Sequence, residues 1–191
     1  MSESLLNPNA FESFPVIETE RLILREFSEN DLDEMFLHRT NKEVRKYVAK
    51  ALDPDKHFTL DIIRSVIKSF EDKTGLSWII EHKQTANFMG SFGFWNIMLA
   101  HGRAEVGYSL NPEYWQQGYM TEVLKACLPF GFKKAGIHSV MACVDPENTG
   151  SIKALEKVGF VKEAHHREDW YYRETFYDTA VYGLLERDLR I

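Results

Sequence analysis

The sequence predicts an α/β fold in one domain: a mixed, mostly antiparallel sheet with helices on both faces. Three observations predict it. At 191 residues, 44% apolar and 13% aromatic, the chain has the length of one domain and can bury a core. Three strand-like runs, residues 76–82, 88–95 and 103–110, follow one another with polar turns between them, the pattern of antiparallel neighbours. Helix-patterned segments stand before this meander and alternate with strands after it, which puts helices on two faces.

Residues 1–15 are polar and aromatic by turns and read as a loose N-terminal arm that packs through Phe11 and Phe14; the domain proper spans residues 16–187. A first strand covers residues 22–27. Ser28 and Asp31 form a capping pair, and Leu32, Met35 and Phe36 follow at helical spacing. A short second helix is expected over residues 42–47. Asp53, Pro54 and Asp55 make a turn, Thr59 caps a third helix with Leu60, Ile63, Ile67 and Phe70 on one stripe, and Gly75 ends it. After the meander, a helix over residues 117–134 contains Pro129, which kinks it or marks an irregularity. Residues 139–144 form a short strand buried on both faces. A helix over residues 148–158 ends at Gly159, and strands over residues 160–166 and 174–185 complete the sheet.

The net charge of −6 argues against non-specific nucleic-acid binding and fits a basic partner. Cys127 and Cys143, the two cysteines, sit in apolar runs and read as buried, reduced thiols. No run approaches the roughly 20 apolar residues of a membrane span, and the N-terminus lacks a secretory pattern, so the expected setting is cytoplasmic, with no membrane partner. His165 and His166 are adjacent, so on a strand they point to opposite faces; the other histidines are scattered, and no metal is expected.

Two segments carry chemistry. The first runs from Asn111 through Trp115, Gln116, Gln117, Gly118, Tyr119, Met120 and Thr121 to Glu122, between a strand and a helix. A glycine loop feeding a helix start gathers unbonded amides at the positive end of a helix dipole, and phosphate is the common biological anion for such a site. The second runs from Asn148 to Phe160, after the next strand. Asn148 is a good helix N-cap, and Ser151 shares its face in the first turn. Gly107, inside a strand pattern, marks a bulge or a close backbone approach.

These two segments, with Thr19-Glu20-Arg21-Leu22-Ile23-Leu24-Arg25 near the start, resemble the Gcn5-related N-acetyltransferase (GNAT) superfamily, and within it the bacterial branch of ribosomal-protein alanine and serine N-terminal acetyltransferases. The resemblance covers nearly the whole chain. It implies a GNAT-like sheet with a splayed central strand pair, acetyl-CoA as acetyl donor, and direct transfer to a primary amine, a protein N-terminus in that branch. A small amine such as an antibiotic or polyamine, and a non-catalytic CoA-binding module, are the alternatives. The family's loop begins with Gln or Arg and ends with Gly or Ala; here Trp115 and Met120 take those places, and Met120 is bulky enough to crowd a diphosphate. By resemblance, Gln116, Gln117, Gly118, Tyr119, Met120 and Thr121 hold the diphosphate, while Tyr108, Ser109, Leu110, Asn148 and Ser151 meet the pantetheine arm. Ser151 matches the serine that bonds the departing thiolate. Glu105 is the first candidate for the base, with Glu168 and Asp169 second. Trp95, Trp170, Tyr171, Tyr172 and Phe94 read chiefly as core, with one or two facing an acceptor. The oligomeric state is not fixed by the sequence; a homodimer is compatible with it.

Overall fold

The computed structural model describes residues 7–191; the first six residues of the expected arm lie outside the described residues. The strands are β1 (Ile17–Glu18), β2 (Leu22–Arg25), β3 (Leu76–His82), β4 (Phe88–Met98), β5 (Arg103–Leu110), β6 (Ser139–Val144), β7 (Val161–Tyr172) and β8 (Thr175–Leu185); the helices are α1 (Leu32–Thr40), α2 (Lys56–Glu71), α3 (Tyr119–Lys133) and α4 (Thr149–Lys157). All strands join one sheet in the order β1-β2-β3-β4-β5-β6-β8-β7.

Helices cover both faces because successive strand residues point to opposite sides. On β3, Trp78 and Ile80 join Leu124 and Leu128 of α3 and Leu155 of α4 in the larger core. Ile79, between them, joins Met35 of α1 and Ile63 of α2 in a smaller one. Phe14 packs on Phe70 and Trp78, with ring centroids at 5.0 and 5.9 Å, and Phe11 is buried. The Trp78 indole N–H, which could not be buried unpaired without cost, donates to the Pro15 carbonyl at 2.6 Å.

One pair of neighbours positions the site. Every ladder is antiparallel except that of β5 with β6. That parallel ladder has three rungs, Arg103 with Ser139, Ala104 with Val140 and Glu105 with Met141, and then stops. Beyond it β5 stays with β4 as far as Leu110 opposite Gly90, while β6 stays with β8 as far as Val144 opposite Ala180. Each strand keeps its outer partner and leaves its inner one. The sheet therefore opens into a V whose vertex is Glu105, with unladdered backbone on both arms.

Several local expectations are corrected. Residues 42–47 form turns, not a second helix; the bonds Lys46 N–H to Glu43 and Val48 N–H to Arg45 close tight turns without propagating. Asp55, not Thr59, caps α2, its carboxylate accepting from the Phe58 amide at 2.9 Å. Thr59 is buried one turn on, donating to Asp53 at 2.7 Å. Helix α2 ends before Gly75, and Lys73 takes the left-handed conformation there. Strand β6 is buried on one face only, since Val140 and Ala142 are buried while Cys143 is exposed. Strand β7 extends to Tyr172, well past residue 166, because β8 pairs with it along nearly its whole length. A two-residue strand, β1, was not foreseen; it pairs with β2 through Ile17 and Glu18.

Candidate active site

The V separates two groups of side chains. Even-numbered residues of β5 face α3 and α4. There the Tyr108 hydroxyl and Ser151 Oγ lie 2.9 Å apart, spanning from β5 to the start of α4. Asn148 caps that helix, its side-chain oxygen accepting from the Ser151 amide at 3.1 Å. Burial drives the Tyr108 phenol well above its ordinary value near 10, and the bond to Ser151 offsets only part of this, so the hydroxyl keeps its proton across any working pH.

Beside this lies the α3 N-terminus. Gly118 is its N-cap in the left-handed conformation, at φ 81°, and no side chain caps the helix. The first intrahelical acceptor is the Gly118 carbonyl, bonded by the Glu122 amide, so the amides of Tyr119, Met120 and Thr121 have no acceptor among the described residues. Glu122 cannot fill that role, because Thr19 and Arg21 hold it: its carboxylate accepts from Thr19 at 2.6 Å and from the Arg21 amide and guanidinium at 3.0 and 2.7 Å. Arg21 also lies over the Tyr119 ring at 4.0 Å and donates to the Gln117 carbonyl. The loop is thus braced by Thr19, Arg21 and Glu122. Against it lies a groove of about 440 Å3 lined by Gly118, Thr121, Lys125 and Lys157 and also by Glu20 and the braced Glu122, so two cations and two carboxylates share it. Met120 packs against the core instead of into the groove, which removes the crowding expected of it.

Odd-numbered residues of β5 face α1. Glu105, at the vertex, accepts from the Asn96 side chain at 3.0 Å and lies beside the Cys143 thiol. The expected bulge at Gly107 is absent: Gly107 pairs in regular register with Gly93, and the shift falls later, after Trp95. Glycine leaves room there for the Trp95 indole, which lies across it where a Cβ would sit 1.7 Å away. Ser109, beyond, meets His38, whose ring nitrogens lie 2.6 Å from Ser109 Oγ and 2.6 Å from Asn111 Oδ1. Asp169 on β7 lies near enough to Cys143 that, after burial, its charge and that of Glu105 push the thiol's pKa up. Glu168, its neighbour, is exposed with its amide on Asp178. Of the aromatic candidates only Phe94 is core; Trp95, Trp170 and Tyr171 are exposed, and Trp170 donates to the Ala49 carbonyl at 2.8 Å.

His38 yields a pH prediction. Burial lowers its pKa below the ordinary 6.5, the charges of Arg39 and Arg45 act the same way, and the Asn111 bond opposes them. The unfolded chain therefore binds this proton more readily than the native one. The stability contributed is complete above pH 6.5 and is lost as pH falls through the lower native value. Urea midpoints are expected to drop between about pH 7.5 and pH 5.5, and His38→Gln to remove the part of the drop that begins near the unfolded value. An unchanged drop in the variant would assign it elsewhere.

Comparison with known proteins identifies the family. The family model of the acetyltransferase (GNAT) domain matches residues 21–161. The chain belongs to the GNAT acetyltransferase family. It is thus an N-acetyltransferase of a family that takes its acetyl group from acetyl-CoA. Among its relatives is the uncharacterised N-acetyltransferase YoaA of Bacillus subtilis, 34% identical over 91% of this chain and 98% of YoaA. Among solved structures, the ribosomal-protein-S5-alanine acetyltransferase of Vibrio fischeri superposes with a TM-score of 0.82 at 20% identity, covering 93% of this chain and 100% of that one. The spermidine N-acetyltransferase of Vibrio cholerae, in complex with CoA and spermine, superposes with a TM-score of 0.80 at 20% identity, covering 89% and 98%. At that identity both show the GNAT fold alone.

Sequence reasoning on this acetyltransferase missed His38, Asn111, the Arg21–Glu122 brace and the Tyr108 hydroxyl. Arg21, Asn111 and Glu122 carried a signal, since they stand inside segments that bear the family likeness, and Tyr108 was placed on the pantetheine arm without its bond to Ser151. The His38 contacts join residues 71 and 73 positions apart, and no local pattern marks such a pair.

Proposed function

We propose that this GNAT enzyme transfers an acetyl group from acetyl-CoA directly to the amino terminus of a protein or peptide, with the donor and the amine meeting through the V between β5 and β6. The observation that carries the reading is the V itself, with Glu105 at its vertex and Tyr108 and Ser151 across it. In this reading the exposed amides of Tyr119, Met120 and Thr121, the Gly118 loop with Gln116 and Gln117, and the flanking lysines hold the diphosphate. The pantetheine arm lies along Tyr108, Ser109 and Leu110 as a missing strand would, reaching Asn148 and Ser151.

The amine nitrogen attacks the thioester carbonyl. A C–N bond forms, a backbone N–H of β5 holds the oxyanion, and the C–S bond then breaks. The nitrogen's proton passes to Glu105 or to water. The sulfur leaves as thiolate, which the Ser151 hydroxyl holds, with Tyr108 behind it, until solvent supplies a proton. A chain-terminal amine has a pKa of about 8 and is partly neutral at pH 7, so a carboxylate base assists without being indispensable. A covalent cysteine route is disfavoured, because burial raises the pKa of Cys127, and partial desolvation with the charges at Glu105 and Asp169 raises that of the more open Cys143.

Thiol release from acetyl-CoA, measured against a panel of N-terminal peptides, polyamines and aminoglycosides, tests the reading. Turnover on peptides is expected; turnover on polyamines alone would replace the acceptor, and CoA binding without turnover on any amine would make the protein a binding module. Glu105→Gln is expected to lower kcat/KM about tenfold at pH 7, less at pH 9, where the free amine dominates. An unaltered pH–rate profile with saturating acceptor would remove Glu105 from the mechanism.

A further inference from the structure

Between α1 and α2 the chain runs as a strap that reaches Trp170 of β7. Residues 42–50 carry Lys42, Arg45, Lys46 and Lys50 against the single acid Glu43, a basic segment in a chain of net charge −6. The strap is fixed on the far side, where the Trp170 indole donates to the Ala49 carbonyl and Lys50 lies over the Trp170 ring at 5.7 Å. One cation of the strap is turned inward. Arg45 lies just past α1, its amide donating at 3.1 Å to the carbonyl of Asn41, which stands three residues after His38, whose ring meets Ser109 on the outer part of β5.

Its hydrogen bonding is incomplete. One terminal nitrogen donates to the Ala51 carbonyl at 3.3 Å, and the buried Nε has no partner among the described residues. The nearby carboxylate cannot serve it, because Asp53 takes Arg39 in a bidentate pair at 2.6 and 2.9 Å and Thr59 at 2.7 Å. A guanidinium has five donors in a planar fork made for a carboxylate, and burying one without an anion costs free energy. Glu105 and Ser109 are four residues apart on one strand face, roughly 13 Å. An amine at the vertex and an anion at Arg45 would thus be separated by the span of a few residues of peptide.

We infer that Arg45 binds a carboxylate of the amine acceptor, so that the acceptors of this enzyme are acidic peptides and not polyamines. The inference rests on the acetyl-transfer reading and names the substrate class of that site. The carboxylate comes either from an acidic side chain near the N-terminus or from a nearby chain end. Polyamines, being cations throughout, meet Arg45 and its lysine neighbours with like charge.

The test compares four short peptides with the same N-terminal residue: C-terminally amidated ones with Glu or Gln at the second or third place, and neutral ones with a free or amidated C-terminus. The carboxylate form of at least one pair is expected to exceed its neutral partner at least tenfold in kcat/KM at low salt, chiefly through KM, and the responding pair tells side chain from chain end. Arg45→Gln should cut that preference below twofold while leaving neutral peptides unchanged, and Arg45→Lys should retain part of it. Equal rates for both members of both pairs in the wild type, or an undiminished preference in Arg45→Gln, would overturn the inference while acetyl transfer stands. Calorimetry of the same peptides on the CoA-saturated protein reads Arg45 without turnover. If no amine is acetylated, the transfer reading fails, yet tighter carboxylate binding lost in Arg45→Gln would still support the anion site, and equal binding would sink it. Melting temperatures of both variants check that each is folded.

Discussion

Gly118→Glu is expected to lower kcat/KM for acetyl-CoA at least about 100-fold, close to 3 kcal/mol, and to leave a folded protein. The two consequences have separate origins. A Cβ at this position meets open space, its nearest neighbour being an Arg21 guanidinium nitrogen at 3.8 Å, so nothing is crushed. The cost to folding is that of holding a non-glycine residue at φ 81°, about 1–2 kcal/mol. A residue of this segment already bears such a conformation, since Gln116 stands at φ 60°. The cost to binding is larger because the new carboxylate enters the mouth of α3, where the exposed amides and helix dipole await an anion, and repels the one that should arrive. Gly118→Ala separates the effects, carrying the backbone strain without the charge, and should lose less than about tenfold. Binding of CoA by calorimetry and the melting temperature are the two readouts. A Gly118→Glu protein that binds CoA as tightly as the parent would show that the diphosphate lies elsewhere.

Ser151→Ala and Tyr108→Phe are each expected to lower kcat about 10- to 100-fold, the value of one hydrogen bond to a charged group. KM for acetyl-CoA should move less than about threefold, because the ground-state thioester carries no charge on sulfur for the pair to hold. The double variant should be little worse than either single one. The two hydroxyls act in series at 2.9 Å, so removing either breaks the same chain of bonds. Additive losses would mean that each residue acts alone. Unchanged kcat in both single variants would reduce the pair to a structural bond across the V. Since burial keeps Tyr108 protonated well above pH 10, no alkaline limb of the rate profile should vanish in Tyr108→Phe.

The acceptor and the donor are read from different kinds of feature. In the proposed reading the donor's side is built from a local motif, a loop and a helix start, braced by Arg21 and Glu122. The acceptor side we propose is built from pieces distant in the chain: Glu105 on β5, His38 on α1, Arg45 on the strap and Asp169 on β7. If that proposal holds, Trp170→Ala, which loosens the strap from β7, is expected to raise KM for the amine and leave KM for acetyl-CoA unchanged.

By itself the sequence determined the fold class, the two chemical segments and their order, because these depend on features read within a few residues: a glycine between a strand and a helix, an asparagine three places before a serine, apolar periods of two or near four. It also placed Glu105, Ser151 and Gly118 on the elements that carry them. Only the tertiary structure decided that Glu105 stands at the last rung between β5 and β6, that Tyr108 reaches Ser151, that Gly107 makes room for Trp95 instead of bulging, and that Arg45 turns inward unpaired. The physical reason is that a strand records which faces its residues take but not which strand it will leave, and a hydrogen bond between residues 43 positions apart leaves no trace in either one's neighbours.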